Sequence, residues 1–265
     1  MKKFAIFGDP VAHSKSPQMQ NAGFKYLKVN AVYEKFHLLD GNLLKKEFLK
    51  NNLYGANITV PHKEKAFLQA DIVKGIAKEI KAVNTYIKED DKIIAYNTDA
   101  PGFLRAIESF GKISNVLVLG AGGTSKAISL ALKEQNSKVV VLNRSSSRLD
   151  FFKSKDIESY SFSEFYEDNF NFDLIVNSTS AGLKDEELPA PKILLEKILK
   201  KSSFAFDCVY GKMTPFLSLA KTLKNQIKDG EDMLLFQGVL AFELFTKTKA
   251  DDLLIEAMRK GLKGK

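Results

Sequence analysis

A lysine and an aspartate stand in sequence contexts that suit proton transfer. In the stretch NITVPHK, Asn57 and Thr59 alternate with apolar residues, so a strand would present both polar side chains on one face. Pro61 should end that strand and leave Lys63 at its carboxyl end, where open α/β sheets bind ligands. Asp99, in YNTDAPG, precedes a helical segment. It is either the N-cap of that helix or a partner that holds the lysine amine beside a substrate hydroxyl.

Two hydroxyl groups stand ahead of the first predicted helix. The stretch HSKSPQ contains Ser14 and Ser16, and Pro17 suits the first position of a helix. We expect Ser16 to be the N-cap and Ser14 to be a loop residue. A helix start at a strand end also faces the ligand crevice, so capping and ligand binding are compatible there.

A glycine-rich turn indicates a dinucleotide site. The stretch GAGGTS, residues 120–125, follows the apolar run VLVL and opens a helical segment. Gly120 permits the tight turn, and Gly122 lets the backbone approach a pyrophosphate at the positive end of the helix. The third position of the fingerprint is Ser125 instead of glycine or alanine, a position that mainly limits how closely helix and strand pack.

The end of the next predicted strand favours NADP over NAD. An NAD site has a carboxylate there, whereas this sequence has Asn143, Arg144 and Ser145, with Arg148 one helical turn further on. A guanidinium binds a 2′-phosphate through paired hydrogen bonds, and a carboxylate would repel it. The alternative is that Asn143 and Ser145 only begin the next helix and both arginines lie in solvent.

Alternating strand-like and helical runs predict an α/β protein. In the first hundred residues the runs are FAIF, SPQMQNAGFKYL, AVYEKFHL, LLKKEFL, ANITV and KEKAFL, and the two β-rich runs around EDDK predict a hairpin. Residues 114–142 predict a strand, a glycine turn, a helix and a strand, and further strands are expected at 172–178 and 204–209. Their continuous apolar character indicates a parallel sheet covered on both faces. Helices are expected from Glu231 onward.

Composition narrows the function classes. The 265 residues carry a net charge of +8, but the basic residues are dispersed among acidic ones, which argues against nucleic-acid binding and suits an anionic ligand. The single cysteine, Cys208, indicates a reducing compartment. The apolar run before Gly8 is too short for a signal peptide, and no run reaches the ~18–20 apolar residues of a membrane helix. We therefore expect a cytoplasmic protein with no membrane partner, and we predict no metal site.

Together these motifs resemble those of the shikimate dehydrogenases. HSKSP, GANITVPHK, AVNT, NTDAPGF, VLGAGGTSKAI, VLNRSSSR, NSTSAG, FDCVYG, TPFL and GEDMLLFQGVLAFELF occur in the family's order and spacing across essentially the whole chain. The resemblance implies a two-domain α/β fold: a mixed-sheet substrate domain, residues 1–100 and 237–265, and a Rossmann-type doubly wound NADP domain, residues 101–236. It implies the reversible NADP-dependent oxidation of shikimate to 3-dehydroshikimate, a step toward chorismate and the aromatic amino acids.

The resemblance also implies roles for individual residues. Lys63 would be the catalytic lysine and Asp99 its partner. The substrate carboxylate would be held by Ser14, Ser16 and Tyr210. The residues that would bind the ring hydroxyls or order the catalytic pair are Asn57, Thr59, Asn84 and Gln237. The cofactor residues would be Gly120, Ala121, Gly122, Gly123 and Thr124 at the pyrophosphate, Asn143, Arg144, Ser145 and Arg148 at the adenosine phosphate, and Cys208, Gly230 and Met233 near the nicotinamide.

Some alternatives stay open at this point. His62, Ser145 and Phe245 replace the residues most usual in the family, but none of these changes removes a group that the chemistry requires. By resemblance the paired serines favour shikimate over quinate, and the rival enzyme is a quinate/shikimate dehydrogenase with dual substrate or cofactor use. The rival outside enzymes is an NADP-binding regulator without turnover, which would have no need of the acid/base pair. The oligomeric state is open, with a homodimer as one candidate.

Overall fold

The structure is a computed structural model, and it describes residues 1–264. Its strands are β1 (Lys2–Gly8), β2 (Ala31–His37), β3 (Gly55–Ile58), β4 (Ile72–Val73), β5 (Thr85–Glu89), β6 (Lys92–Tyr96), β7 (Asn115–Leu119), β8 (Lys138–Asn143), β9 (Glu158–Ser161), β10 (Leu174–Asn177), β11 (Phe204–Asp207) and β12 (Gln226–Lys228). Its helices are α1 (Ser16–Tyr26), α2 (Leu44–Lys50), α3 (Lys63–Gln69), α4 (Ala77–Ile80), α5 (Asp99–Ile107), α6 (Gly123–Glu134), α7 (Asp150–Lys153), α8 (Lys192–Lys200), α9 (Pro215–Thr222), α10 (Glu231–Thr246) and α11 (Asp252–Leu262).

The described chain forms two compact units. The first unit contains residues 1–102 and the chain from residue 234 onward, and the second unit contains residues 103–233. Both boundaries fall inside helices, one in α5 and the other in α10. The chain therefore passes between the units without a glycine- or serine-rich linker.

The first unit is built on a mixed sheet of six strands in the order β2-β1-β3-β5-β6-β4. β1 runs parallel to both of its neighbours, β2 and β3, whereas β5 is antiparallel to β3 and to β6. The β5–β6 pair is the hairpin predicted around EDDK, and that prediction is confirmed.

The apolar run in β1 explains why this sheet is covered on both faces. Side chains alternate along a strand, so Phe4 and Ile6 lie on one face and Ala5 and Phe7 on the other. Phe4 and Ile6 belong to a core that includes buried residues of α1, α10 and α11. Ala5 and Phe7 belong to a separate core that includes α2 and α3. A strand buried on both faces has no need of a polar alternate position.

The second unit is a parallel sheet in the order β12-β11-β10-β7-β8-β9, with parallel neighbours throughout. The order runs outward in both directions from the adjacent strands β7 and β10, which makes this a doubly wound Rossmann-type sheet. The predicted strand–turn–helix–strand unit is β7, α6 and β8, and it is confirmed. Ligands of such sheets bind outside the carboxyl ends of the strands at the reversal point.

The strand that carries the NITV stretch ends earlier than predicted, before it reaches Pro61. β3 ends at Ile58, and the backbone then turns through a bond from the His62 N–H to the Thr59 carbonyl (3.0 Å). The Ala66 N–H bonds to the His62 carbonyl (2.8 Å), so helix α3 begins at Lys63, where the helical run KEKAFL was predicted to begin, shortly after the carboxyl end of the strand.

The start of α1 also differs from the prediction. The helix begins at Ser16, and Lys15 is its N-cap residue without a side-chain capping bond. The Ser16 N–H is accepted instead by Ser14 Oγ at 3.3 Å, so the first serine of the motif satisfies an amide that has no helical partner.

No helix in residues 1–264 is both long enough and apolar enough to cross a membrane.

Candidate active site

Lys63 and Asp99 form a close ion pair in the first unit. Lys63 Nζ donates to Asp99 Oδ2 at 2.6 Å, and the two side chains are only 18% and 11% exposed. Lys63 begins α3 and Asp99 begins α5, so two helix starts bring the pair together. The two candidates with the strongest chemical interpretation in the sequence are therefore in direct contact.

Asn97 explains why the Asp99 carboxylate is available for this pair. An aspartate at a helix start is often occupied in capping the free N–H groups of the first turn. Here Asn97 Oδ1 accepts from the N–H of Asp99 (3.0 Å) and from that of Ala100 (3.3 Å). Asn97 therefore caps the helix in place of Asp99. Both oxygens of the Asp99 carboxylate are left to accept hydrogen bonds from other side chains.

Asn84 holds the second oxygen of Asp99. Its Nδ2 donates to Asp99 Oδ1 at 3.0 Å and to Thr98 Oγ1 at 2.9 Å, while its Oδ1 accepts from the Thr98 N–H at 2.8 Å. The backbone contact fixes the orientation of the amide, because a carbonyl oxygen must face an N–H. Asp99 therefore accepts one hydrogen bond from Lys63 and one from Asn84.

Two further predicted residues join this cluster. Asn57 Nδ2 donates to the Asn84 carbonyl at 3.2 Å, and Gln237 Oε1 lies 3.5 Å from Asn84 Nδ2. Gln237 lies on α10 where that helix packs tightly against Gly102 of α5: a Cβ on Gly102 would lie 2.7 Å from the Gln237 nitrogen. The structure thus gathers Lys63, Asp99, Asn84, Asn57 and Gln237 into one polar cluster.

Three other predicted residues of the first unit lie outside that cluster. Ser14 and Ser16 are buried at the start of α1, and Thr59 packs so closely on Gly8 that a Cβ on the glycine would overlap Thr59 Cγ2. Within residues 1–264 none of these three hydroxyls bonds to the five clustered side chains. They stay predicted ligand groups.

In the second unit the glycine turn has the backbone that its sequence requires. Gly120 has φ of +106°, a conformation that favours glycine, and a Cβ there would lie 2.9 Å from Thr179 Cγ2. Gly122 is the N-cap of α6, and a Cβ on Gly122 or Gly123 would have no neighbouring atom within 4 Å. Open space beside a bare backbone at a helix start fits a pyrophosphate.

Ser125 shows how a hydroxyl is accommodated at the third fingerprint position. It is fully buried, and its Oγ lies 2.5 Å from Ser178 Oγ, which in turn donates to the Leu119 carbonyl at 2.6 Å. The hydroxyl therefore ties the helix start to the ends of β7 and β10.

The residues after β8 present two exposed arginines. Arg144 and Arg148 are both exposed, and within residues 1–264 neither guanidinium group has a hydrogen bond or ion pair with a protein group. Asn143 Nδ2 donates to the Ser145 carbonyl at 2.8 Å, and Ser145 Oγ lies 3.0 Å from Ser147 Oγ. Two free guanidinium groups beside hydroxyl and amide donors suit a phosphate.

Asp207, which the sequence analysis did not single out, organises the loops after β10 and β11. Its carboxylate accepts from Asn177 Nδ2 (3.0 Å), the Val209 N–H (2.9 Å) and Thr214 Oγ1 (2.6 Å). Asn177 Oδ1 in turn accepts from the N–H (3.0 Å) and hydroxyl (2.7 Å) of Thr179. Burial raises the pKa of Asp207, and the three hydrogen bonds oppose that rise. The only signal in the sequence was a carboxylate at the end of an apolar strand.

The remaining cofactor candidates follow these loops. Gly230 packs against the backbone at Cys208, where a Cβ would overlap the Cys208 carbonyl oxygen, and its N–H donates to the Val209 carbonyl (3.0 Å). Met233 is buried, and Tyr210 is partly buried, which raises the pKa of its phenol. The segments around Cys208 and Gly230 are therefore fixed to one another.

Comparison with known proteins adds three family matches. Residues 6–86 match the shikimate dehydrogenase substrate binding domain, and residues 105–187 match shikimate / quinate 5-dehydrogenase. Residues 230–263 match the shikimate 5′-dehydrogenase C-terminal domain.

Individual relatives cover nearly the whole chain. A shikimate dehydrogenase (NADP(+)) of Helicobacter hepaticus is 43% identical over 257 residues, which are 97% of this chain and 95% of the relative. The structure of shikimate dehydrogenase from Aquifex aeolicus is similar with a TM-score of 0.88 at 36% identity, covering 97% of each chain. Shikimate 5-dehydrogenase from Thermus thermophilus, solved with NADP(H) and shikimate, has a TM-score of 0.87 at 33% identity, covering 100% of this chain and 99% of that one.

Replacing the buried Asp207 tests its role in the second unit. Asp207→Ala leaves the donors of Asn177, Val209 and Thr214 without their acceptor, so we expect the free energy of unfolding to fall by at least about 2 kcal/mol. Urea denaturation followed by circular dichroism measures the change. The matched control is Asp168→Ala, which removes a carboxylate that is 83% exposed in an ion pair with Lys201, and its effect should be much smaller. Equal losses in the two variants would contradict the role given to Asp207.

Proposed function

The chain belongs to the shikimate dehydrogenase family, and from that premise we propose that it catalyses the reversible NADP-dependent interconversion of shikimate and 3-dehydroshikimate. The observation that carries the proposal is the contact between Lys63 Nζ and Asp99 Oδ2, with Asn84 on the other carboxylate oxygen. The reaction is a step in the synthesis of chorismate and the aromatic amino acids.

The chemistry requires proton transfer at a hydroxyl group. Oxidation of a secondary alcohol removes a proton from the oxygen while a hydride leaves the carbon, and the reverse reaction needs a proton donor. When bound, NADP accepts that hydride. We assign the proton transfer to Lys63, whose amine Asp99 holds by a hydrogen bond of 2.6 Å. Asn84 and Asn97 restrict the motion of Asp99, so the lysine does not have to find its position during the reaction.

The substrate ligands in this proposal come from the polar groups around the pair. Asn57, Asn84 and Gln237 are amides of the cluster and suit ring hydroxyls, with Thr59 as a further hydroxyl ligand. Ser14 and Ser16 are buried hydroxyls at the start of α1, where they suit a carboxylate, and Tyr210 is proposed as a further carboxylate ligand.

The cofactor ligands are proposed on the second unit. The backbone from Gly120 to Thr124 would hold the pyrophosphate, supported by the open space at Gly122 and Gly123. The segment from Asn143 to Arg148, including Arg144 and Ser145, would hold the 2′-phosphate. Cys208, Gly230 and Met233 would lie near the nicotinamide.

We also propose which domain binds which ligand, where in the cell the protein is located and which oligomer it forms. Residues 1–100 and 237–265 form the substrate domain, and residues 101–236 form the NADP domain. The single cysteine, Cys208, supports a cytoplasmic location because disulfides are rare there. A homodimer is the candidate assembly, and light scattering would measure the mass.

A direct assay tests the function. Purified protein is mixed with shikimate or quinate, each with NADP or NAD, and reduced cofactor is followed by absorbance. We expect turnover to be fastest with shikimate and NADP. Comparable turnover of quinate would establish dual specificity, and an absence of turnover with every pair would refute the proposed enzyme.

Removing the proposed proton carrier should stop the chemistry. Because proton transfer by a positioned group contributes ~10²–10⁴-fold, Lys63→Ala should lower kcat by that order while the KM for shikimate changes little. Steady-state kinetics with NADP measures both constants. The matched control is Lys65→Ala on the same helix, an exposed lysine whose loss should change kcat by less than about twofold. Near-normal turnover of Lys63→Ala would remove Lys63 from the mechanism.

The choice of cofactor can be tested at Arg144. A charged hydrogen bond to the 2′-phosphate is available only with NADP, so Arg144→Ala should raise the KM for NADP about tenfold and leave that for NAD nearly unchanged. Titrations of both cofactors at saturating shikimate give the comparison. If both KM values rise equally, Arg144 does not read the phosphate.

A further inference from the structure

A buried tyrosine lies at the far end of the polar cluster in the first unit. Tyr33 lies on β2, and its hydroxyl donates to Asn57 Oδ1 at 2.7 Å. Asn21 of α1 holds the tyrosine backbone on both sides, with its Oδ1 accepting from the Tyr33 N–H and its Nδ2 donating to the Tyr33 carbonyl, each at 2.9 Å. The phenol is thus presented to Asn57 from a fixed backbone.

A continuous set of hydrogen bonds connects this phenol to the pair of Lys63 and Asp99. Asn57 Nδ2 donates to Thr85 Oγ1 (3.0 Å), Thr85 Oγ1 donates to Asn84 Oδ1 (3.0 Å), and Asn84 Nδ2 donates to Asp99 Oδ1 (3.0 Å). We call this set the Tyr33 chain; its members are Tyr33, Asn57, Thr85, Asn84 and Asp99, and none is more than 7% exposed.

The Tyr33 chain has a direction. Burial raises the pKa of the Tyr33 phenol well above its usual value, so the hydroxyl keeps its proton and donates to Asn57. Asn57 must then direct its oxygen to Tyr33 and its amino group to Thr85. Because the Thr85 hydroxyl accepts from Asn57 and has one proton, it donates that proton in a hydrogen bond to Asn84. Asn84, whose amide orientation the Thr98 N–H already fixes, accepts this bond at its oxygen and presents its amino group to the Asp99 carboxylate.

Removing the phenol would leave an acceptor unsatisfied inside this chain. Within residues 1–264 Tyr33 is the donor seen at Asn57 Oδ1, and that oxygen lies on a residue only 5% exposed. A buried acceptor without a donor is costly, so the Asn57 side chain would move to find one.

We propose that Tyr33 is a positioning residue of the reaction, which fixes Asn57 and, through Thr85 and Asn84, the Asp99 carboxylate that holds Lys63. The inference rests on the proposed function and extends it to a side chain that touches none of the groups assigned to the chemistry, Lys63 and Asp99. Tyr33 acts through its hydroxyl, whereas its ring packs in the apolar core beside Phe245.

The first test removes only the hydroxyl. In Tyr33→Phe the ring packing is kept and the donor to Asn57 is lost, so we expect kcat/KM for shikimate to fall about tenfold. The Kd for NADP, measured by calorimetry, should stay within about twofold because its proposed ligands lie in the second unit. The KM and kcat for shikimate come from steady-state assays at a temperature where the variant is folded.

The matched control is Tyr86→Phe. Tyr86 is also fully buried, and its hydroxyl donates to the Ala66 carbonyl instead of to a member of the Tyr33 chain. Both variants lose a buried hydrogen bond, and both should unfold at a lower temperature, but kcat/KM should fall only in Tyr33→Phe. Equal losses of kcat/KM would overturn the positioning role and leave Tyr33 as a core residue.

A second link provides an independent test. Thr85→Val breaks the chain between Asn57 and Asn84, so the double variant with Tyr33→Phe should lose no more kcat/KM than the worse single variant. Losses that multiply would show separate effects and overturn the chain. Wild-type protein without turnover would refute the proposed function itself, whereas an active wild type with an unaffected Tyr33→Phe would refute this inference alone.

Discussion

The first unit is organised around the need to keep an ammonium and a carboxylate 2.6 Å apart in a place where little water reaches them. A pair of charges withdrawn from water loses hydration, and it is tolerated only where further hydrogen bonds replace that hydration. Asp99 obtains one such bond from Asn84, and Asn97 relieves it of the backbone amides that would otherwise compete for its oxygens. The polar residues around the pair are therefore a condition for its existence as well as candidate ligands of a substrate.

The second unit meets a related constraint with backbone instead of with charge. A pyrophosphate needs close approach to N–H groups, and Gly122 and Gly123, in the site that we propose for it, have no side chains to block that approach. Loops without side chains have little to hold their shape, and here neighbouring polar residues supply the order. Ser125 with Ser178, and Asp207 with Asn177 and Thr214, connect the strand ends to one another. Buried hydrogen bonds between the ends of neighbouring strands therefore stabilise the surroundings of the glycine turn, residues 120–125.

Local patterns in the sequence were sufficient for the elements that carry the candidate site residues, but not for the short strands β4, β9 and β12. The glycine turn, the hairpin and the apolar strands each depend on residues close in the chain, and the structure contains all of them. Lys63 and Asp99 could be singled out because each stands in a distinctive stretch. Tyr33 and Thr85 could not, because Tyr33 meets Asn57 across 24 residues and Asn57 meets Thr85 across 28, and nothing near them marks the pairing. The same applies to Asp207, and the N-cap of α1 was predicted at Ser16 instead of Lys15.

The contact between Gly102 and Gln237 has a consequence for how this protein can change over evolution. Gly102 belongs to the helix that begins with Asp99. Because Gly102 has no side chain, the Gln237 backbone lies so close to it that a Cβ on Gly102 would be 2.7 Å from the Gln237 backbone nitrogen. A larger residue at this position would overlap the backbone and the Cβ of Gln237, so the Asp99 carboxylate and the Gln237 amide would move apart. In the enzyme that we propose, altered substrate preference could therefore arise at Gly102, which has no side chain of its own to bind a ligand.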